Sequence, residues 1–264
     1  MIKLIVTDID GTLINNAHRY SERLVRAVNA ARAQNVLFTL ATGRMYRSGV
    51  MFAKELQVDL PIICYNGGYI RDAADKVYYK EGIDPQSANT ILKVCRGQSW
   101  HVQYCVNDNL FCAKDTDYMR EYSQVAKVPY QVLGEEFYTA EDKVNKFLFI
   151  QDDVAVLRDI QQRIAEVCTT VDFTRSQANY LEVIPKGVNK GVAIKSLAQI
   201  LNVDTKDIMA IGDSYNDLEM LTAVGHGVAM GQAPEDVKAA VAYVTDTNEQ
   251  DGLAKAIEKY VLGI

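Results

Sequence analysis

The chain has 264 residues, of which 48% are hydrophobic and 23% charged, and its formal net charge is -6. This balance excludes general disorder and argues against a broad basic surface for nucleic acid, so an anionic ligand has to be held by a local cluster. The length allows one large domain or two smaller ones.

In chain order, LIVT (4–7) reads as a strand, and SERLVRAVNAARAQ (21–34) as a helix that starts at a Ser21 cap with Leu24, Val28 and Ala31 on one face. VLFTLA (36–41) and PIICY (61–65) are again strand-like. From about residue 83 the order is less regular. HVQYCV and LFCAK flank Asn107-Asp108-Asn109 as a hairpin, followed by KFLFI (146–150), a helix from about Asp153 to Glu166, and then TTVDF and YLEVI. Alternation resumes after Pro185, with helical patterns at 190–201, 216–224 and 251–261 and strands IMAIG (208–212) and HGVAM (226–230). Continuous apolar strands separated by helices predict a parallel sheet covered on both faces. The middle predicts two helices on one antiparallel sheet. The expected fold is therefore α/β, with a Rossmann-like core formed by residues 1–82 and 187–264 and an α+β domain, 83–186, inserted near Gly82 and Gly187.

Five cysteines, Cys64, Cys95, Cys105, Cys112 and Cys168, are odd in number and contain no CxxC pair, which favours a reducing compartment. The short N-terminal apolar run is interrupted by Lys3, and no stretch is long enough to span a bilayer. The expectation is a cytoplasmic protein with neither membrane nor nucleic acid as partner. Oligomeric state is not legible. His18, His101 and His226 are too scattered to form a metal or catalytic set.

In an open parallel sheet, ligands bind beyond the carboxyl ends of the strands. Four polar groupings fall at such ends: Asp8-Ile9-Asp10-Gly11-Thr12, Thr42-Gly43-Arg44, Lys190 in KGVNKG, and Gly212-Asp213-Ser214-Tyr215-Asn216-Asp217. Taken singly, each has a bland reading as a turn, a cap or a solvated helix residue. Together they bring carboxylates, a hydroxyl, a lysine and glycines to one sheet edge.

DIDGT, ATGR, the lysine of VNKG and GDSYND, in this order and spacing, resemble the four motifs of the haloacid dehalogenase-like hydrolase superfamily. The intervening segment resembles the type IIB cap of the Cof-type sugar-phosphate phosphatases, and the resemblance covers essentially the whole chain. It implies a Mg²⁺-dependent phosphoric monoester hydrolase acting on a small phosphorylated molecule, such as a sugar phosphate, through an aspartyl-phosphate intermediate. On that pattern Asp8 is the nucleophile and Asp10 the acid/base. Asp8, Asp213 and the backbone carbonyl of Asp10 hold the metal. Ile9, Thr42, Gly43, Lys190 and Asn216 bind the phosphoryl oxygens, and Asp217 orients Lys190 or metal-bound water. Arg44 and Asn66 are candidates for contact with the rest of the substrate, with loop bracing as the alternative.

The chemistry is consistent with that pattern. A carboxylate meeting a phosphate dianion is opposed by about 4 kcal/mol per charge pair at ~4 Å and an effective dielectric of ~20, so a cation and a lysine are needed. Clustered oxygen donors suit Mg²⁺. Two other readings share the residues: a phosphomutase on the same core, and a phosphoacceptor signalling domain. The second acid two residues after the first, together with a large insert, argues against the signalling domain.

Overall fold

The computed structural model describes all 264 residues, Met1–Ile264. The chain divides into two compact units. One comprises Met1–Gly43, Gly49–Tyr78 and Asn189–Ile264, and the other Arg44–Ser48 and Tyr79–Val188. The boundaries lie a few residues outside the joints expected at Gly82 and Gly187, and the short Arg44–Ser48 segment clusters with the second unit.

The first unit carries a five-stranded sheet in the order Tyr243–Val244, His226–Ala229, Ile208–Gly212, Leu4–Thr7, Leu37–Leu40, every pair parallel. A single bridge from Ala41 to Ile63 brings in Ile62–Cys64 beyond the last strand. Alternation along the strands sends Leu4, Val6, Ile208 and Ala210 to one face, where they pack with Ala193, Ile194, Leu197 and Met220 from helices Lys190–Leu201 and Leu218–Thr222. Their neighbours Ile5, Met209 and Ile211 are equally buried and point the other way. Helices Glu22–Ala33 and Gly252–Ile257 pack against each other outside the first cluster. The all-apolar strands of the sequence are thus explained by burial on both faces. The helical pattern at 216–224 resolves into a 3₁₀ turn, Tyr215–Asp217, leading into Leu218–Thr222. That at 251–261 ends in a wider π turn, Glu258–Leu262.

In the second unit six strands run in the order Val171–Thr174, Tyr180–Pro185, Lys146–Ile150, His101–Val106, Asn109–Cys112, Tyr130–Val132. Helices Pro85–Cys95 and Val154–Val167 cover one face through Ile91, Leu92, Ile160 and Ile164 against Phe147, Phe149 and Val183. The arrangement departs from two helices on an antiparallel sheet at one edge. Asn109–Cys112 and Tyr130–Val132 are parallel, and helix Asp117–Ala126 lies between them in sequence, because a parallel neighbour needs a crossover. All five cysteines are free and buried. No helix is long and apolar enough to cross a membrane.

Helices Lys190–Leu201 and Leu218–Thr222 approach so closely at Gly191 that a Cβ there would meet the Glu219 carbonyl oxygen at 2.4 Å. Gly191→Ala should push the helices apart and lower the unfolding free energy by about 1–3 kcal/mol, the usual effect of overpacking. Urea denaturation measures this, and an unchanged midpoint would contradict the close approach.

Candidate active site

The site lies wholly in the first unit, at the carboxyl ends of its strands. Parallel pairing places Thr7 opposite Ile211 and Leu40, so the chain leaves three neighbouring strands at one edge. Asp8 follows the first, Thr42 and Gly43 the second, and Asp213 the third. The Asp8 amide donates to the Ile211 carbonyl at 2.9 Å, and the Thr42 amide to the Ile63 carbonyl at 2.8 Å.

Lys190 ties the acids together. Its ammonium, fully buried, donates to Asp8 Oδ1 and Asp217 Oδ1, each at 2.6 Å. The second oxygen of Asp217 accepts from the backbone amides of Asp213 and Ser214 at 2.9 and 3.0 Å. Both Asp217 oxygens are therefore engaged inside the protein. Asp213 is braced differently: the buried Thr12 hydroxyl donates to its Oδ1 at 2.9 Å. Asp8 and Asp213 thus each keep one oxygen outside these side-chain hydrogen bonds. Oxygens of Asp8, Asp213 and Asp217 lie within 4.8 Å of one another.

So many acids in so little water perturb each other. Burial raises the Asp8 carboxyl well above the usual range, Lys190 opposes this, and Asp217, Asp213 and Asp10 add to it. Burial, then the charge of Asp217, pushes Asp213 up to about 7, against the Thr12 hydrogen bond. For Lys190 burial works against the charge, and Asp217 and Asp8 outweigh it and raise its pKa. The cluster carries more negative than positive charge, and its donors are all hard oxygens. That fits a hard divalent cation held through Asp8 and Asp213, with Asp217 spent on Lys190 and the backbone.

A second group sits on the adjoining strand end. Asn66, buried, accepts from the Asn216 side-chain amide at 3.0 Å, and its backbone amide donates to the Thr42 carbonyl at 3.1 Å. Gly43 stands against both, since a Cβ there would meet Asn66 Oδ1 at 2.8 Å and Asn216 Nδ2 at 3.5 Å. Asn66 has a left-handed backbone, φ 54°, which asparagine tolerates better than most residues. The Asp10 turn is compact: the Ile9 carbonyl accepts from Thr12 and Ile14 amides at 3.4 and 3.1 Å, and Asp10 bridges to Ile14. Gly11 takes φ 74°, and a Cβ on it would meet Asp213 Oδ2 at 2.4 Å, so only glycine lets the turn lie against Asp213.

Asp8, Asp10, Asp213, Asp217 and Lys190 thus form one group, and Thr42, Gly43, Asn66 and Asn216 its neighbour through the Asn216-Asp217 step. Arg44 falls in the second unit, where its guanidinium donates to Ser48 Oγ at 2.9 Å and to the Val125 carbonyl at 3.4 Å. Sequence reasoning left Thr12 out of the site residues, although the threonine of DIDGT is its own signal.

The strand-end carboxylates are thus disposed around one buried lysine at the edge of a parallel α/β sheet. Residues 5–257 match the family model of the haloacid dehalogenase-like hydrolases, and the chain belongs to that family. It is 29% identical to the 5-amino-6-(5-phospho-D-ribitylamino)uracil phosphatase YcsE of Bacillus subtilis over 99% of this chain and 96% of that protein. Among solved structures, a haloacid dehalogenase-like hydrolase from Bacteroides thetaiotaomicron superposes with TM-score 0.87 at 28% identity, covering 98% of this chain and 99% of that one. A sugar phosphatase of subclass IIB superposes with TM-score 0.85 at 25% identity, covering 98% of each chain. The protein is a phosphatase of this family.

The raised Asp213 carboxyl has a consequence for stability. Between about pH 4 and 7 the native metal-free protein holds a proton that the unfolded chain has released. This contribution is full below the unfolded pKa and is lost as pH rises through about 7. Melting in chelator should therefore show a midpoint falling from pH 5.5 to 8, with a smaller fall in Asp213→Asn. Equal slopes in the two proteins would remove the assignment.

Proposed function

We propose that the chain is a Mg²⁺-dependent phosphatase of small phosphate monoesters, sugar or sugar-alcohol phosphates in particular, working through a phosphoryl group carried on Asp8. The observation that carries this reading is the Lys190 clamp: it fixes one oxygen of Asp8, while Asp217 is fully engaged elsewhere. Asp8 is thus the one acid that is both oriented by a cation and open at its second oxygen.

Asp8 and Asp213, with the Asp10 carbonyl on the family pattern, would hold Mg²⁺, which would supply positive charge to offset the repulsion between the carboxylates and a phosphate. The Asp8 carboxylate attacks phosphorus and the bond to the ester oxygen breaks. Asp10 donates a proton to that oxygen as it leaves, then takes one from the water that attacks phosphorus in the acyl phosphate. Inorganic phosphate leaves and Asp8 is restored. Lys190 and the amides near Thr42, Gly43 and Asn216 stabilise the dispersed charge of the transition state. The substrates named for the relatives, a sugar phosphate and a 5-phosphoribityl compound, would each release an alcohol of high pKa that needs such an acid.

Asp8→Asn should remove essentially all turnover with melting behaviour retained. In an acid-quenched single turnover of a ³²P-labelled sugar phosphate, wild type should carry hydroxylamine-labile label and Asp8→Asn none. Label on Asp8→Asn would sink the nucleophile assignment. Release of inorganic phosphate, rather than transfer to a second hydroxyl, separates the phosphatase from a phosphomutase.

Chelation should abolish activity and Mg²⁺ should restore it, whereas Ca²⁺ should inhibit, because its larger, more flexible coordination sphere spoils in-line geometry. Binding of Mg²⁺ should weaken below pH 7, since Asp213 must shed its proton first. Full activity in EDTA would contradict the metal.

A further inference from the structure

The Asp10 turn has one short backbone bond across it, from the Ile14 amide to the Ile9 carbonyl at 3.1 Å. Its amide bonds from Thr12 to Ile9 and from Leu13 to Asp8 are long, 3.4 and 3.3 Å. Two side-chain amides grip it from outside. Gln232 Nε2 donates to the Gly11 carbonyl at 2.5 Å, and Asn248 Nδ2 donates to the Ile14 carbonyl at 3.2 Å. The two are themselves joined, because the Asn248 backbone amide donates to Gln232 Oε1 at 3.1 Å. Glu249 extends the grip by accepting from the Asn16 amide at 2.7 Å.

Gly11 follows Asp10 in the chain, and Ile14 is its bridge partner. The clamp therefore pins the Gly11–Thr12 peptide, one peptide beyond Asp10, and the residue that bridges to Asp10. Gln232 and Asn248 sit on firm ground: the Gly231 amide donates to the Asp246 carbonyl at 3.1 Å and the Thr245 amide to the Ala229 carbonyl at 2.9 Å, which joins both loops to the end of strand His226–Ala229.

We infer that Gln232 and Asn248 are positioning residues that act on catalysis through Asp10, by holding the Gly11 and Ile14 carbonyls so that the Asp10 carboxyl keeps its place beside Asp8. The inference rests on the acid/base reading of Asp10. The Gln232 contact is exposed, so it contributes little to stability. Proton transfer, by contrast, is sensitive to displacements of an ångström. The two effects can be told apart experimentally.

Gln232→Glu keeps the acceptor for the Asn248 amide and removes the donor to Gly11; Asn248→Asp keeps the side-chain length and removes the donor to Ile14. With a hexose 6-phosphate, whose alcohol leaving group needs the acid, and Mg²⁺, each should lower kcat about 10-fold with KM and melting temperature nearly unchanged. The decisive measurement is the double-mutant cycle with Asp10→Asn, which alone should lose ~10² to 10⁴ in rate. In that background neither substitution should reduce kcat further by more than about 2-fold, since the carboxyl they position is gone. A purely structural role predicts the same 10-fold loss in both backgrounds, and that result would overturn the inference. Wild-type kcat in both Gln232→Glu and Asn248→Asp, beside a crippled Asp10→Asn, would overturn it while leaving the acid/base reading intact. Wild-type kcat in Asp10→Asn would bring down the acid/base reading and this inference with it.

Discussion

The site depends on one buried ammonium. Lys190 is the first residue of its helix, the end at which the peptide dipoles disfavour a cation, and it is wholly out of water. Neither condition favours a charged lysine. Asp8 and Asp217, at 2.6 Å each, overcome both, and truncating either would leave the buried ammonium with one carboxylate in place of two. The ion triad is thus at once the condition for Lys190 to be charged and the device that orients Asp8.

Electroneutrality explains the division of labour among the acids. Asp217 gives all its acceptors to Lys190 and two backbone amides, and so behaves as part of the scaffold. Asp8 and Asp213 are supported through one oxygen apiece, from Lys190 and Thr12. What remains is a poorly solvated cluster in which burial and neighbouring carboxylates raise the Asp8 and Asp213 carboxyls above their ordinary range. On the proposed reading, a divalent cation would offset the cluster's excess of negative charge and so allow a phosphate to approach.

The core was legible because its chemistry is written in contiguous motifs and its strands in unbroken apolar runs. Leu4–Thr7 and Ile208–Gly212 are buried on both faces, which is what their sequences say. The parallel strand Tyr130–Val132 was not legible, because an exposed edge strand of three residues has no alternation to announce it. Asn66 was ambiguous for another reason: its signal was position after a strand, whereas its partner, Asn216, lies 150 residues away. The Gln232 and Asn248 clamp was invisible altogether, since amide side chains in a polar loop read as solvated surface and only the fold brings them to Gly11 and Ile14.

Register turns those distant motifs into one site. Leu4 pairs with Ile208 and Thr7 with Ile211, so Asp8 emerges at the level of Gly212, with Asp213 one residue beyond. A slip of one residue would exchange the faces of the strand, sending Ile5 into the cluster built for Leu4 and Val6 and turning Asp8 away from Lys190. Apolar packing on both sides of the sheet therefore does more than stabilise the unit. It selects the alignment in which two acids 205 residues apart in sequence come within one cation's reach, and this lets the motifs remain short while the chain between them carries an entire second unit.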